Sequence, residues 1–316
     1  MIVDDQSLPV IRVADIVTEE TRERWLISQL WGASAVGVIG GAPKCSKTWL
    51  ALDMSLSVAT GTPCLDRYEV PESGPVLIYL AEDSLTIVRE RVAGIARHRG
   101  LQLDAVPIHA IKTPTLKLDR EPHRRQLLET ARRLRPRLLL LDPLVRLHGI
   151  DENNAGEVAE LLAYFRALQR ELDLSVVLVH HTRKNAAGGT AAGLGLRGSS
   201  DIHAFGDSNL YLRRNRDRLT LSSEHRAAAA GQSVYLELVT TDAECTHLAV
   251  VGEVDSQKRQ DLHERVLDLL ATNSVLTRAK LRELLAVKNE RLGDALEALQ
   301  QSGRISRTQT GWQRAK

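Results

Sequence analysis

Apolar runs and helical stripes alternate along the chain from about residue 35 to residue 181. The runs Ala35 to Ile39, Pro75 to Leu80, Arg137 to Leu141 and Leu174 to Val179 are continuous and Leu/Val/Ile-rich, as strands buried on both faces require. Between them the spacing predicts an amphipathic helix over Trp49 to Val58 and helices over Ser84 to Arg99, Glu121 to Leu134 and residues 156–172. The last of these carries Val158, Leu161, Leu162, Phe165 and Leu168 on one face. A further strand is expected near Ala105 to Ile111. Strand–helix alternation predicts an α/β fold, a mostly parallel sheet with helices on both faces.

Beyond Val179 the pattern changes. Asn185 to Ser200 is rich in Gly and Ala and reads as a loop. Shorter runs follow at Ser208 to Arg213, Arg218 to Ser222, Val234 to Val239 and His247 to Val251, an antiparallel extension of the sheet. Residues 253–260 read as a polar linker. Helices are then expected at Leu262 to Leu270, Thr277 to Val287 and Asn289 to Gln301, with a two-stranded wing over Arg304 to Trp312. Three short helices and a hairpin form the pattern of a small C-terminal winged-helix domain. The expected division is 1–255 and 256–316.

Composition narrows the class. The chain has 316 residues, 43% hydrophobic and 26% charged, with only 3% aromatics, so the core must rest on Leu, Val, Ile and Ala. Cys45, Cys64 and Cys245 show neither a metal spacing nor a disulfide framework, which suits a reducing cytoplasm. Met1 to Gln6 carries no signal-peptide pattern, and no apolar run approaches the ~20 residues that span a bilayer, so no membrane role is expected. From Lys258 onward twelve Lys/Arg face seven Asp/Glu, which concentrates positive charge at the C-terminus.

The strand Ala35 to Ile39 runs into Gly40-Gly-Ala-Pro-Lys-Cys-Ser-Lys-Thr48 and then into a helix. Strand, small-residue loop, Lys-Thr and helix is the arrangement that wraps a polyphosphate in backbone N–H groups at a helix N-terminus. Gly41, Ala42, Pro43, Lys44, Cys45, Ser46, Lys47, Thr48 and Trp49 are the expected nucleotide-binding residues. Lys47 is placed to reach the β- and γ-phosphates of ATP and Thr48 to bind Mg²⁺. Ser46 stands where such loops usually carry a second glycine, a position that favours φ > 0. Alone, the stretch also fits a glycine-rich turn before an ordinary helix; its partners decide between the two. Trp25 and Trp31 either pack under the adenine or seal the edge of the core.

Ligands of parallel sheets collect at the C-terminal strand ends, and four chemical groups lie there. Asp142 ends the four-leucine strand, where a Walker-B carboxylate holds Mg²⁺. Glu82 is placed to polarise the water that attacks the γ-phosphate, and Asp83 caps a helix or shares that role. His180, with His181 as the fallback, is a γ-phosphate sensor. Arg183, Lys184 and Arg197 punctuate the Gly/Ala-rich loop, which suits a nucleic-acid backbone or a solvated surface. Arg226, or alternatively Arg197, is the candidate arginine finger for a neighbouring subunit's nucleotide.

Gly41 to Thr48, Tyr79 to Ser84, Leu141 to Leu144, Val179 to Thr182 and Arg197 to Ser200 together make residues 20–252 resemble the RecA-like ATPases of the RepA group, hexameric replicative helicases of plasmids and mobile elements. The chain is also similar to the RadA and KaiC branches. The resemblance implies Mg²⁺-dependent ATP hydrolysis, a ring or filament of identical subunits, and single-stranded DNA as the track. It implies Glu82 as base, Asp142 as Walker-B acid and His180 as sensor. The placement of Arg226 is similar to the finger region of DnaB-like rings. The alternatives are an ATP-gated DNA-binding or loading factor that does not unwind, and a regulatory ATPase with a protein partner. The basic C-terminal unit suits DNA phosphate, whereas Glu290, Asp294 and Glu297 on its third helix oppose groove entry and suit a protein contact.

Overall fold

The computed structural model describes residues 10–15, 24–181, 200–215, 218–242, 245–273, 275–308 and 310–315. A short hairpin opens the fold, β1 (Trp25–Ile27) and β2 (Trp31–Gly32). The parallel strands are β3 (Val36–Gly41), β4 (Val76–Leu80), β5 (Ile108–Ala110), β6 (Leu138–Asp142), β7 (Ser175–His181) and β8 (Ser208–Asn215). Helices α1 (Lys47–Thr60), α2 (Leu85–His98), α3 (Glu121–Leu134), α4 (Ala155–Leu172) and α5 (Ser200–Phe205) connect them. Strands β9 (Arg218–His225), β10 (Val234–Asp242) and β11 (Cys245–Glu253) add to one side as antiparallel neighbours. The nine-stranded sheet has the order β11-β10-β9-β8-β3-β7-β6-β4-β5.

Leu138, Leu139, Leu140 and Leu141 are all fully buried, and their side chains alternate between two cores. Leu138 and Leu140 join Ile39, Ile78, Val177 and the apolar residues of α1 and α2. Leu139 and Leu141 join Val38, Leu77, Leu178 and the stripes of α3 and α4. A strand that feeds two cores must be apolar at every position, which is why this run shows no polar alternation. Burying each such leucine contributes about 2 kcal/mol.

Helix α1 differs from expectation. It is not amphipathic but buried on nearly every side, Asp53, Ser55 and Ser57 included. Its polar residues are satisfied locally. Ser55 and Ser57 donate to the carbonyls of Ala51 and Asp53, and Asp53 pairs with Arg99 at 2.7 Å. Trp31 is fully buried and Trp25 packs edge-on against His225. Both tryptophans lie in the β1–β2 hairpin, which joins the first core through Leu26, Ile27, Leu30 and Trp31.

The polar stretch 253–260 is not a linker. Glu253 ends β11, and residues 254–260 open α6 (Val254–Thr272) directly after it. Then come α7 (Arg278–Leu285), α8 (Asn289–Gln301) and the hairpin β12 (Ile305–Arg307) and β13 (Trp312–Arg314). Their apolar residues, from Leu262 to Trp312, make a third cluster that shares no member with the other two. Among the described residues no helix is long and apolar enough to cross a membrane.

Candidate nucleotide site

The loop between β3 and α1 follows the middle strand of the nine-stranded sheet, between β8 and β7. Gly41 closes β3 beside His181 on one side and Leu212 on the other. A Cβ on Gly41 would lie 2.6 Å from both the Leu212 carbonyl and the Cys45 Sγ, so only glycine fits here. Ala42, Pro43 and Lys44 are exposed while Cys45 turns inward. Lys44 and Ser46 both take left-handed backbone, with φ of 63° and 64°. Ser46 therefore adopts the geometry that glycine usually supplies, at a cost of about 1 kcal/mol. It is the residue before α1 and makes no side-chain capping bond, so the first N–H groups of the helix are left for a ligand.

Lys47 is 5% exposed and folds back over the loop. Its Nζ donates to the carbonyls of Gly41 (3.0 Å) and Ala42 (2.8 Å). Burial lowers its pKa, opposed by the nearby Cys45, Asp142 and Glu82. Burial likewise pushes the Cys45 thiol up. Thr48 donates its hydroxyl to Asp142 Oδ2 at 2.6 Å. Asp142 is 7% exposed, and desolvation pushes its carboxyl up to about 6 against the pull of Thr48 and Lys47; Asp83 and Glu82 push the same way as burial.

Asp142 makes a testable mark on stability in metal-free protein. Its folded pKa lies above the ordinary carboxylate value, so the fold favours the protonated form. Below about pH 4 the group is protonated in both states and carries no penalty. As pH rises from about 4 to 6 the unfolded chain ionises first, and the folded state loses up to about 3 kcal/mol. Asp142→Asn keeps an acceptor for Thr48 without the charge. It should raise the apo melting temperature at pH 8 and match wild type at pH 4. Equal gaps at both pH values in thermal melts would contradict this account.

Leu80 pairs with Asp142 in the β4–β6 register, which brings Glu82 and Asp83 to the same edge. Glu82 is exposed and accepts from Arg146 Nε at 2.8 Å; Arg146 comes from the turn after β6. Asp83 pairs with Arg91 at 2.6 Å, and Ser84, not Asp83, caps α2 by accepting from the Ile87 N–H. His180 is buried beside Gly40 on β7, the strand between the loop strand and the Asp142 strand. His181 is half-buried beside Gly41. Trp49 lines a cavity of about 530 Å³ with Arg89, Arg91 and Gly94, and the Arg91 guanidinium lies 5.5 Å from its ring centre.

Thus Lys47, Thr48, Asp142 and Glu82 come together at the C-terminal ends of neighbouring strands. Val177 and Val179 face the first core with α1 while Val176 and Leu178 face the second, so His180 lies on the second core's face and His181 on the face of α1. Arg226 does not reach these strand ends. Its backbone N–H donates to the Asp207 carbonyl, and β9 runs antiparallel with His225 opposite Ser208. That is roughly 15 Å back along the strands from the loop. There its guanidinium donates to the Ala204 and Phe205 carbonyls and pairs with Asp207 at 3.4 Å. Arg183, Lys184 and Arg197 lie outside the described residues.

Two arginines that the sequence reading passed over stand at the loop edge. Gly41 pairs with Leu212 on β8, so Arg213 and Arg214 extend just past the loop, and both are exposed. Arg214 is near enough to favour the ionised Cys45 thiol. The signal was the run Arg213-Arg-Asn-Arg-Asp-Arg218, but nothing in the sequence says that β8 lies against β3.

A family model described as an AAA domain, AAA_25, matches residues 4–187. Among solved structures, the ATPase domain of G40P superposes with a TM-score of 0.50 at 16% identity, covering 65% of this chain and 82% of that one. The RadB recombinase gives 0.49 at 16% identity, covering 66% and 88%. At this identity the G40P likeness is one of fold, and with the strand order above it makes the sheet RecA-like.

Proposed function

Because the chain belongs to the AAA_25 family of AAA domains, we propose that it is a Mg²⁺-dependent ATPase that works on DNA as an oligomer. The observation that carries the nucleotide reading is the contact of Thr48 with Asp142 at 2.6 Å beside a buried Lys47. Residues 41–49 bind the nucleotide, with the N–H groups at the start of α1 facing phosphate. Lys47 exchanges its loop carbonyls for phosphate oxygens. Thr48 and Asp142 hold Mg²⁺: a hydroxyl and a desolvated carboxyl form a hard oxygen donor set, and a divalent cation removes the cost of ionising Asp142. When bound, Mg²⁺ neutralises charge that develops on the transferred phosphoryl group. Glu82 takes the proton of the attacking water, while Arg146 holds its carboxylate in place until then. His181, which follows Val177 and Val179 onto the face of α1 beside Gly41, reads the γ-phosphate in place of His180.

Arg226 faces away from its own loop, so its role as a finger requires a neighbouring subunit at that edge. Arg213 and Arg214 supply positive charge at the loop within the same chain. The C-terminal elements α6 to β13 support a separate winged-helix domain over 256–316. Its hairpin arginines, Arg304, Arg307 and Arg314, suit DNA phosphate better than the acidic α8 suits a groove.

Single-stranded DNA should raise the ATPase rate several-fold, and a forked duplex should be opened in the presence of ATP. Removing residues 258–316 should weaken DNA binding about tenfold at moderate salt. Salt-sensitive binding without strand separation would favour a loading factor instead. DNA affinity unchanged by the truncation would assign the C-terminal unit to a protein partner.

A further inference from the structure

We propose that His98, Cys245 and His247 form a second metal site, distinct from the nucleotide site and selective for a borderline-soft divalent ion of the zinc class. One ligand atom from each of the three lies within 4.8 Å of the others. Ligands of a tetrahedral zinc centre stand roughly 3.5 Å apart, so the three donors must close by about 1 Å as an ion loads.

The fold brings the three together from distant parts of the chain. Cys245 and His247 are two apart at the start of β11, so both project to one face of that edge strand. That face meets α2, where the Cys245 Sγ lies 3.8 Å from the Gly94 carbonyl. His98 is the last residue of α2. Its ring stacks on His247 with centroids 3.4 Å apart and planes 13° from parallel.

Burial argues that the cluster is not an ordinary surface. Cys245 is 5% exposed and His247 4%. His247 Nδ1 is buried with no hydrogen-bond partner, a loss of about 1–3 kcal/mol unless something binds it. A thiol beside two imidazoles offers S and N donors, which select zinc-like ions over Mg²⁺. The second ring contact completes the pattern. Asp66 Oδ2 lies 2.7 Å from His98 Nε2, the carboxylate–histidine pairing that fixes the tautomer and leaves Nδ1 bare for a metal.

Charge is consistent with an ion of two positive charges. Asp66 and a Cys245 thiolate would supply two negative ones. Arg99 is the opposing cation, and it is already paired with Asp53 at 2.7 Å and Asp66 at 3.8 Å. The stacked rings carry one geometric consequence. In-plane lone pairs on parallel rings 3.4 Å apart do not meet at one point, so loading must turn one imidazole out of the stack. A bound ion would then clamp the edge strand β11 to the end of α2 and, through Asp66, to the turn at residues 64–68.

The test uses tag-free, full-length protein, stripped with chelator and free of nucleotide. Titration with Co²⁺ should show one equivalent bound, with a thiolate-to-cobalt charge-transfer band that Zn²⁺ abolishes by displacement. Zn²⁺ should also raise the melting temperature by several degrees. Cys245→Ser and His247→Ala should each lose the band and weaken Zn²⁺ binding more than about 100-fold, and Asp66→Asn should weaken it about tenfold. His98→Gln, at a side chain 28% exposed, tests the site without emptying the core and should also lose tight binding. Cys64→Ser, at a thiol that contacts Asp53 instead, should keep the band. Failure of the wild-type protein to bind stoichiometric Zn²⁺ or Co²⁺ would overturn the proposal. So would a band that survives Cys245→Ser or is lost in Cys64→Ser. None of these outcomes depends on ATP turnover.

Discussion

Lys47→Ala should abolish measurable ATP binding, the largest effect of any single change at this site. Lys47 is 5% exposed, and its ammonium is held by the Gly41 and Ala42 carbonyls and carries the positive charge of the loop. On nucleotide binding those two neutral acceptors give way to phosphate oxygens, and each charge-assisted bond gains about 1.5–3 kcal/mol. Losing two of them weakens binding roughly 10²- to 10⁴-fold. Removing a buried charge whose pKa is already lowered by desolvation should cost the apo fold little. The variant should therefore melt near wild type without ligand and lose the upward shift that ATP and Mg²⁺ produce in wild type. Isothermal titration and paired melts read both arms. Tight ATP binding retained in a folded Lys47→Ala protein would remove the nucleotide from this loop altogether.

The elements that position Lys47 were legible because their signal is local. The run Leu138 to Leu141 reads as a strand between two cores, and the loop from Gly41 to Thr48 is picked out by its place between a buried strand and a helix. Ser46 illustrates how the physics behind a motif outlasts its spelling, since the backbone takes φ 64° without the glycine. What was hidden depends on strand order and on distant pairs. No local feature says that β8 pairs with β3, so Arg213 and Arg214 went unnoticed beside the loop. The same holds for His98 meeting Cys245 and His247, where the sequence offers only two of three ligands in one place. The start of α6 was missed for another reason. Glu253 to Gln260 has no apolar stripe, yet it contains neither Gly nor Pro to stop a helix.

Glu82→Gln should leave ATP binding intact and reduce turnover about 10²- to 10⁴-fold, the range set by loss of a positioned general base. Glu82 is exposed at the end of β4, so its replacement disturbs no core packing. The amide oxygen of glutamine still accepts from Arg146 Nε, the contact that holds Glu82 at 2.8 Å, so position is kept while basicity is lost. Asp83 is the internal control. Its carboxylate is committed to Arg91 at 2.6 Å, and α2 is capped by Ser84. Asp83→Asn should therefore lower the single-turnover rate of phosphate release far less than Glu82→Gln does. If the two variants exchanged roles, with Asp83→Asn silent in binding but dead in turnover, the base would be Asp83 and the Arg146 contact a surface ion pair worth under about 1 kcal/mol. If both variants hydrolysed ATP at the wild-type rate in the single-turnover assay, neither carboxylate after β4 would be the proton acceptor.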